Sequence, residues 1–155
     1  MNKDELVKIH ITLPNHDEIG GESFWAEEAG NQLYKIENIP FYAYGLNFKD
    51  TVRATPDSDE TLEIQNVFER SGNKTMRLCF ESVVDKKNQT KYIENLEKLH
   101  CTMERRDNVN IAVNIKPEGD FQTVYNQLEK WANEGILDFE TAEVRIEGSF
   151  DDVSD

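Results

Sequence analysis

Apolar and polar positions alternate at the start of the chain: Val7, Ile9, Ile11 and Leu13 fall on one side, Lys8, His10 and Thr12 on the other. A period of two predicts a half-buried strand over Leu6 to Leu13. Gly20-Gly21 interrupts it, an extended piece follows around Phe24 and Trp25, and Gly30-Asn31 has hairpin-turn character leading into Gln32 to Ile36. Further short strands are predicted at Phe41 to Tyr44, Thr51 to Ala54 and Thr61 to Glu69, the last with Leu62, Ile64 and Phe68 in alternation. Pro40 and Pro56 mark bends or edges, because proline has no N–H to give to a ladder. No helical period appears in this part, so residues 6–72 are expected to form a small antiparallel β-sheet or barrel.

Beyond the turn signal Ser71-Gly72-Asn73 the period changes. Met76, Leu78 and Phe80 alternate as a strand, whereas Tyr92, Ile93, Leu96 and Leu99 recur at helical spacing within Thr90 to His100. Cys101 to Arg106 and Val109 to Ile115 read as strands joined by the tight turn Asp107-Asn108. Asp120 is placed to cap a second helix with the apolar stripe Phe121, Val124, Tyr125, Leu128 and Trp131, and Gly135 is placed to end it. A last strand falls between Leu137 and Ile146. Strand, helix, strand, strand, helix, strand over residues 73–147 is the ferredoxin-like βαββαβ order. The expected class is therefore α+β, with residues 148–155 as an acidic tail whose order is left open.

Composition fits a folded chain: of 155 residues, 37% are apolar and 10% aromatic, enough to build a core. The first residues contain no apolar run of signal-peptide type and no stretch has the length of a membrane span, so the expected setting is cytoplasmic. Cys79 and Cys101 make no disulfide framework and are expected to be buried free thiols in a reducing compartment.

Charge sharpens the picture. The chain carries 31 acidic against 17 basic side chains, net −14. Residues 1–72 hold 14 acidic and 6 basic groups, residues 73–137 hold 10 of each, and residues 138–155 hold 7 and 1. The excess thus sits on the N-terminal sheet and the C-terminal end. Such a body repels nucleic acid and anionic membrane and is drawn to basic surfaces.

Candidate chemistry is sparse. His10, His16 and His100 show no metal-ligand spacing, and adjacent His100 and Cys101 at a helix-to-strand junction point in different directions, which argues against a nucleophile pair. A calcium loop starting at Asp57 fails because Leu62 and Phe68 stand where glycine and glutamate are needed. Gly20-Gly21 matches no phosphate-loop pattern. No catalytic residue, metal or cofactor is expected.

The run Glu37-Asn38-Ile39-Pro40-Phe41-Tyr42-Ala43-Tyr44-Gly45-Leu46, with Trp25 and Tyr34 before it and Asp50 and Ser71-Gly72-Asn73-Lys74-Thr75-Met76-Arg77 after it, resembles the bacterial family designated domain of unknown function 4265. The resemblance spans most of the chain and supplies no catalytic residues. It implies a bacterial, cytoplasmic protein of a kind that serves as immunity partner of a secreted or contact-dependent toxin. The motif residues have a structural reading too, in which Asn38 and Pro40 shape a bend, Phe41 and Trp25 fill a small core, and Asp50 satisfies backbone donors. The functional reading places Trp25, Tyr42 and Tyr44 in a groove with Arg77, since aromatics and arginine anchor interfaces.

Together these readings lead to an inhibitor or immunity protein, monomeric when free, that binds a basic protein toxin such as a nuclease domain. Its carboxylates would take the positions of phosphates. Candidate partner-binding residues are Asp17, Glu18, Glu22, Glu27 and Glu28 near Trp25; Asp57, Asp59, Glu60 and Glu63; and Asp138, Glu140 and Glu143, with Trp25, Tyr42 and Tyr44 as apolar anchors. The alternative is a small-molecule-binding or enzymatic role for a pocket where the two halves meet, near Asn38, Tyr44, Arg77 and His100.

Overall fold

The computed structural model describes residues 5–14, 16, 19–144 and 150. The expected strand over Leu6 to Leu13 is β1 (Val7–Thr12), with Ile9, Ile11 and Leu13 buried. It pairs with the ten-residue β2 (Gly21–Gly30), which extends beyond the short piece expected around Phe24 and Trp25. Asn31 and Gln32, both at positive φ, turn the chain into β3 (Leu33–Ile36). That is the two-residue hairpin geometry whose twist matches its strands. β4 (Thr51–Pro56) and β5 (Leu62–Glu69) follow, and Pro56 ends its strand as expected.

These five strands close into a barrel. Inside lie Ile9, Ile11, Phe24, Ala26, Ile36, Val52, Ala54 and Ile64, with Ala43 and Leu46 contributed by the β3–β4 loop. The two strand alanines suit the narrow interior of a five-stranded barrel. Closure occurs at β1 and β5, which meet in parallel at His10 and Glu63. Glu63 fastens this seam with both oxygens: one lies 2.7 Å from His10 Nδ1 and the other accepts the Thr12 N–H at 2.8 Å. Glu63→Ala is therefore expected to cost about 1–2 kcal/mol, leaving the Thr12 N–H without its partner. An unchanged urea midpoint would count against this role for the side chain.

The remaining elements are β6 (Lys74–Phe80), α1 (Lys86–Lys98), β7 (Cys101–Arg105), β8 (Asn110–Ile115), α2 (Phe121–Asn133) and β9 (Leu137–Thr141). They form an antiparallel sheet of order β7-β8-β6-β9. The molecule is thus mostly β, with a five-stranded and a four-stranded sheet and two helices. α1 begins four residues before the expected Thr90, because Asp85 accepts the Asn88 N–H at 2.9 Å as its N-cap and the polar first turn carries no apolar period. Asp120 caps α2 in the same way through the Thr123 N–H, also at 2.9 Å, and Gly135 follows the helix at positive φ, both as expected.

β9 ends at Thr141; the expected continuation to Ile146 runs into residues 145–149, which lie outside the described residues, as does the tail from 151 onward. No helix among the described residues is long and apolar enough to cross a membrane.

Alternation along β6 splits its side chains between two environments. Met76, Leu78 and Phe80 join Ile111, Val113, Ile115 and Leu137 against Leu96, Val124, Leu128 and Trp131 of the helices. Thr75, Arg77 and Cys79 point to the opposite, helix-free face, where Asn110, Ala112 and Asn114 of β8 and Asp138 and Glu140 of β9 also fall by register. That face receives the barrel and its long β3–β4 loop.

Candidate functional site at the seam of barrel and sheet

The loop from residue 37 to 50 contains the expected strand Phe41 to Tyr44, and this expectation fails: the segment is irregular. Its backbone donors go to a side chain instead of a neighbouring strand. Glu22, on β2, accepts the Phe41 N–H at 2.6 Å through Oε2 and the Tyr42 and Ala43 N–H groups at 3.0 Å through Oε1. Pro40, which has no N–H, separates this anion nest from the preceding residues.

The carbonyl side of the same segment is held by Arg77 of β6. Its Nη1 donates to the Ala43 carbonyl at 2.9 Å and the Pro40 carbonyl at 3.3 Å, and Nη2 to the Tyr42 carbonyl at 3.4 Å. The guanidinium also lies over the Tyr44 ring at 4.8 Å, with its Nε 3.5 Å from Glu140 Oε1. Tyr44 in turn donates its hydroxyl to Glu140 Oε2 at 2.5 Å. A carboxylate from the barrel and a guanidinium from the sheet thus grip opposite edges of residues 40–43, each facing the end of the peptide dipoles that favours it.

Further polar bonds continue the seam. Asn38 accepts the Trp25 N–H at 2.7 Å and donates to Glu104 at 3.1 Å, while Glu104 also accepts the Ile39 N–H at 2.5 Å. Asp50 is completely buried and accepts N–H groups from Asn47 and Ser71, both at 2.9 Å. Thr75 donates to Asn47 at 2.7 Å. The structural reading of Asn38 and Asp50 therefore agrees with their contacts. For Trp25 it does not: the ring is 53% exposed on the outer side of β2, because the alternate positions Phe24 and Ala26 take the interior.

Burial pushes the Glu22 carboxyl above its ordinary value, opposed by the bonds from Phe41, Ala43 and Tyr42 and by the charge of Arg77. Both thiols are raised. Cys101 is buried as expected and goes to about 12 by desolvation, which removes it as a nucleophile at neutral pH. Cys79, expected to be buried, is exposed, since it lies on the helix-free face near the edge of the barrel contact. Its partial burial, then the negative charges of Asp107, Glu81 and Asp138, hold its proton on.

A cleft of about 370 Å³ opens where the loop meets this face, lined among others by Tyr42, Arg77, Cys79, Arg106, Asp138 and Glu140. On the barrel side, Trp25 stands between two shallow depressions of about 420 and 490 Å³ that share Asn38 and Glu104. The four residues named for a junction pocket are thereby distributed. Arg77 lines the cleft, Tyr44 packs on Arg77, and Asn38 belongs to the Trp25 side. His100 is at positive φ in the turn before β7, at the far end of the sheet from Cys79 and Asn110.

The proposed groove of Trp25, Tyr42, Tyr44 and Arg77 divides likewise, with the two tyrosines beside Arg77 and Trp25 across the loop.

Of the carboxylates named for partner binding, Glu22, Glu63 and Glu140 are engaged within the chain. Asp57 accepts the N–H groups of Asp59 and Thr61 at 2.8 and 3.0 Å, shaping the β4–β5 turn, while Asp59 and Glu60 are exposed on it. Glu28, Asp138 and Glu143 are exposed and Glu27 is half-buried opposite Lys35; Asp17 and Glu18 lie outside the described residues. Because β2 runs antiparallel to β3 and β4 to β5, the turns after Gly30 and Pro56 share the barrel end remote from the sheet. Glu28, Asp57, Asp59 and Glu60 collect there.

Sequence reasoning missed Arg106 and His16 as cleft residues. One signal was present: Thr75, Arg77 and Cys79 alternate with apolar residues in a strand central to its sheet, which marks a second, polar face needing its own cover.

No curated protein matches the chain. Among solved structures it is similar to a crystal structure of a hypothetical protein from Neisseria gonorrhoeae, with 17% identity over 92% of this chain and 97% of the other, and a TM-score of 0.77. That likeness is one of fold. The family model described as Domain of unknown function (DUF4265) matches residues 22–139, from the Glu22 nest through β9 to Phe139, and the chain belongs to that family.

Proposed function

We propose that the chain is a cytoplasmic bacterial immunity or inhibitor protein that binds a basic protein toxin, such as a nuclease domain, through its barrel. The observation that carries this reading is Trp25: a large aromatic ring, 53% exposed, standing between two depressions on a barrel half that bears net −8 charge. Exposed tryptophan is the residue type most able to anchor an interface, and surrounding carboxylates speed encounter with a cationic partner. The acidic barrel end with Glu28, Asp57, Asp59 and Glu60 extends the same surface. Glu22, Glu63 and Glu140 act inside the protein in this reading, not on the partner. The ferredoxin-like reading of residues 73–147 is supported by the strand order β9-β6-β8-β7, with a helix after β6 and another after β8.

Co-expression with the product of the adjacent reading frame is the test, because an immunity gene ordinarily neighbours its toxin. The chain should suppress that product's toxicity and bind it directly. Trp25→Ala should weaken binding by about thirtyfold with little change in melting temperature, as expected of a solvent-facing anchor. If no toxicity is suppressed, or Trp25→Ala and the charge-reversed pair Glu27→Lys/Glu28→Lys bind as wild type does, the reading fails.

A further inference from the structure

We propose that the cleft on the helix-free face binds a short peptide with free termini, its ammonium group toward Asp138 and its carboxylate toward Arg106. This inference is independent of toxin binding by the barrel.

Asp138 of β9 pairs with Cys79 of β6, and Cys79 pairs with Asn110 of β8. Arg106 continues the row, donating its backbone N–H to the Asn110 carbonyl at 2.9 Å. An acid, a thiol, an amide and a guanidinium therefore cross the sheet in one line along the cleft. Three strand spacings put the outer Cα atoms roughly 14 Å apart. Inward-reaching side chains shorten that gap to the scale of a tripeptide, which extends about 10 Å.

The roof is aromatic. Arg106 lies over the Tyr42 ring at 5.0 Å and His16 meets that ring edge-on at 5.5 Å, which fixes the basic end of the cleft against the loop that Glu22 and Arg77 hold. Phe41 also lines the space.

The charges inside this space differ in availability. Glu140 and Arg77 face each other at 3.5 Å. Asp107, beside the cleft and next to Arg106, is turned to Asn110's side chain and to the backbone N–H groups of Val109 and Asn110, and its charge also interacts with Arg106. Among the described residues, neither Asp138 nor Arg106 belongs to a salt bridge. Those two, at opposite ends, are the charges a ligand can meet.

This bipolar arrangement selects the ligand class. A nucleotide would bring only negative charge to a cleft containing Asp138 and Glu140, and a polyamine only positive charge to Arg106. A zwitterion of this length satisfies both ends and is not repelled by the net charge of −14. The volume of about 370 Å³ accommodates a tripeptide of small residues and is at the lower end of ordinary ligand sites.

Cys79 supplies the readout, being exposed at the centre of the row while Cys101 is buried. The experiment follows alkylation of Cys79 by iodoacetamide at fixed pH with trialanine, N-acetyl-trialanine and trialanine amide as probes, and measures their affinities by calorimetry. Trialanine should slow alkylation, and blocking either terminus should weaken binding about tenfold or more. Asp138→Asn should erase the penalty for acetylation alone, and Arg106→Gln the penalty for amidation alone. Both positions are exposed, and the wild-type comparison stands without them. Absence of protection at millimolar trialanine, or equal binding of the free and blocked forms, overturns the proposal.

Discussion

Glu22→Ala is expected to destabilise the protein by about 3–5 kcal/mol, a large fraction of the stability of an ordinary domain. The reason is local. Three backbone N–H groups, those of Phe41, Tyr42 and Ala43, lose their acceptor at a site where burial already disfavours water. For a chain of this size the melting temperature should fall by roughly 10 °C or more.

Glu22→Gln keeps one carbonyl-type oxygen and places an amide donor against a backbone donor, so a loss of about 1–2 kcal/mol is expected at acid pH. The two forms should also differ in pH dependence. Folding raises the Glu22 pKa from 4.5, so the folded chain holds this proton to higher pH than the unfolded chain does. Its contribution is full below 4.5 and is lost as pH rises through the folded value, so the stability advantage of wild type over Glu22→Gln should shrink across that interval. Urea unfolding of both forms from pH 4 upward measures the difference; parallel curves would show that Glu22 titrates as an ordinary surface carboxylate.

Arg77→Ala should be of similar size, about 3–5 kcal/mol, because it strips a buried cation from the three carbonyls it serves and leaves Glu140 without that neighbour. Arg77→Lys tests geometry separately from charge. A point ammonium cannot fork to Pro40, Tyr42 and Ala43 or lie flat on Tyr44, so it should recover less than half of the loss. Full recovery in chemical denaturation would mean that positive charge, not the planar fork, is what the seam requires.

The sequence made regular elements readable where apolar spacing was clean, as in β1, β8 and α2. It was silent where a side chain replaces a backbone partner. Phe41 to Tyr44 has strand composition, yet nothing local announces that a glutamate about twenty positions earlier takes its donors. Glu22, Glu63 and Glu140 belong to an acidic excess that invites a surface reading, and only register and topology show that each closes a gap between elements. Trp25 illustrates the converse. Its type suggests core, but a one-residue phase along β2 puts Phe24 and Ala26 inside and the indole in solvent.

The family pattern around Asn38, Pro40, Asp50, Ser71 and Arg77 coincides with the polar seam. The residues that made the chain recognisable hold barrel and sheet together, whereas the exposed surfaces assigned to partner and ligand lie beside them. On this account one loop, gripped from two sides, makes the two halves a single unit.

A double-mutant cycle between Glu22→Ala and Arg77→Ala tests that account most directly, with stability read from urea unfolding. Since both side chains hold residues 40–43, releasing the loop with one substitution should remove much of what the other can lose. The account predicts a double variant less destabilised than the sum of the singles by about 1–3 kcal/mol. Additivity to within about 0.5 kcal/mol would show two independent contacts and contradict it.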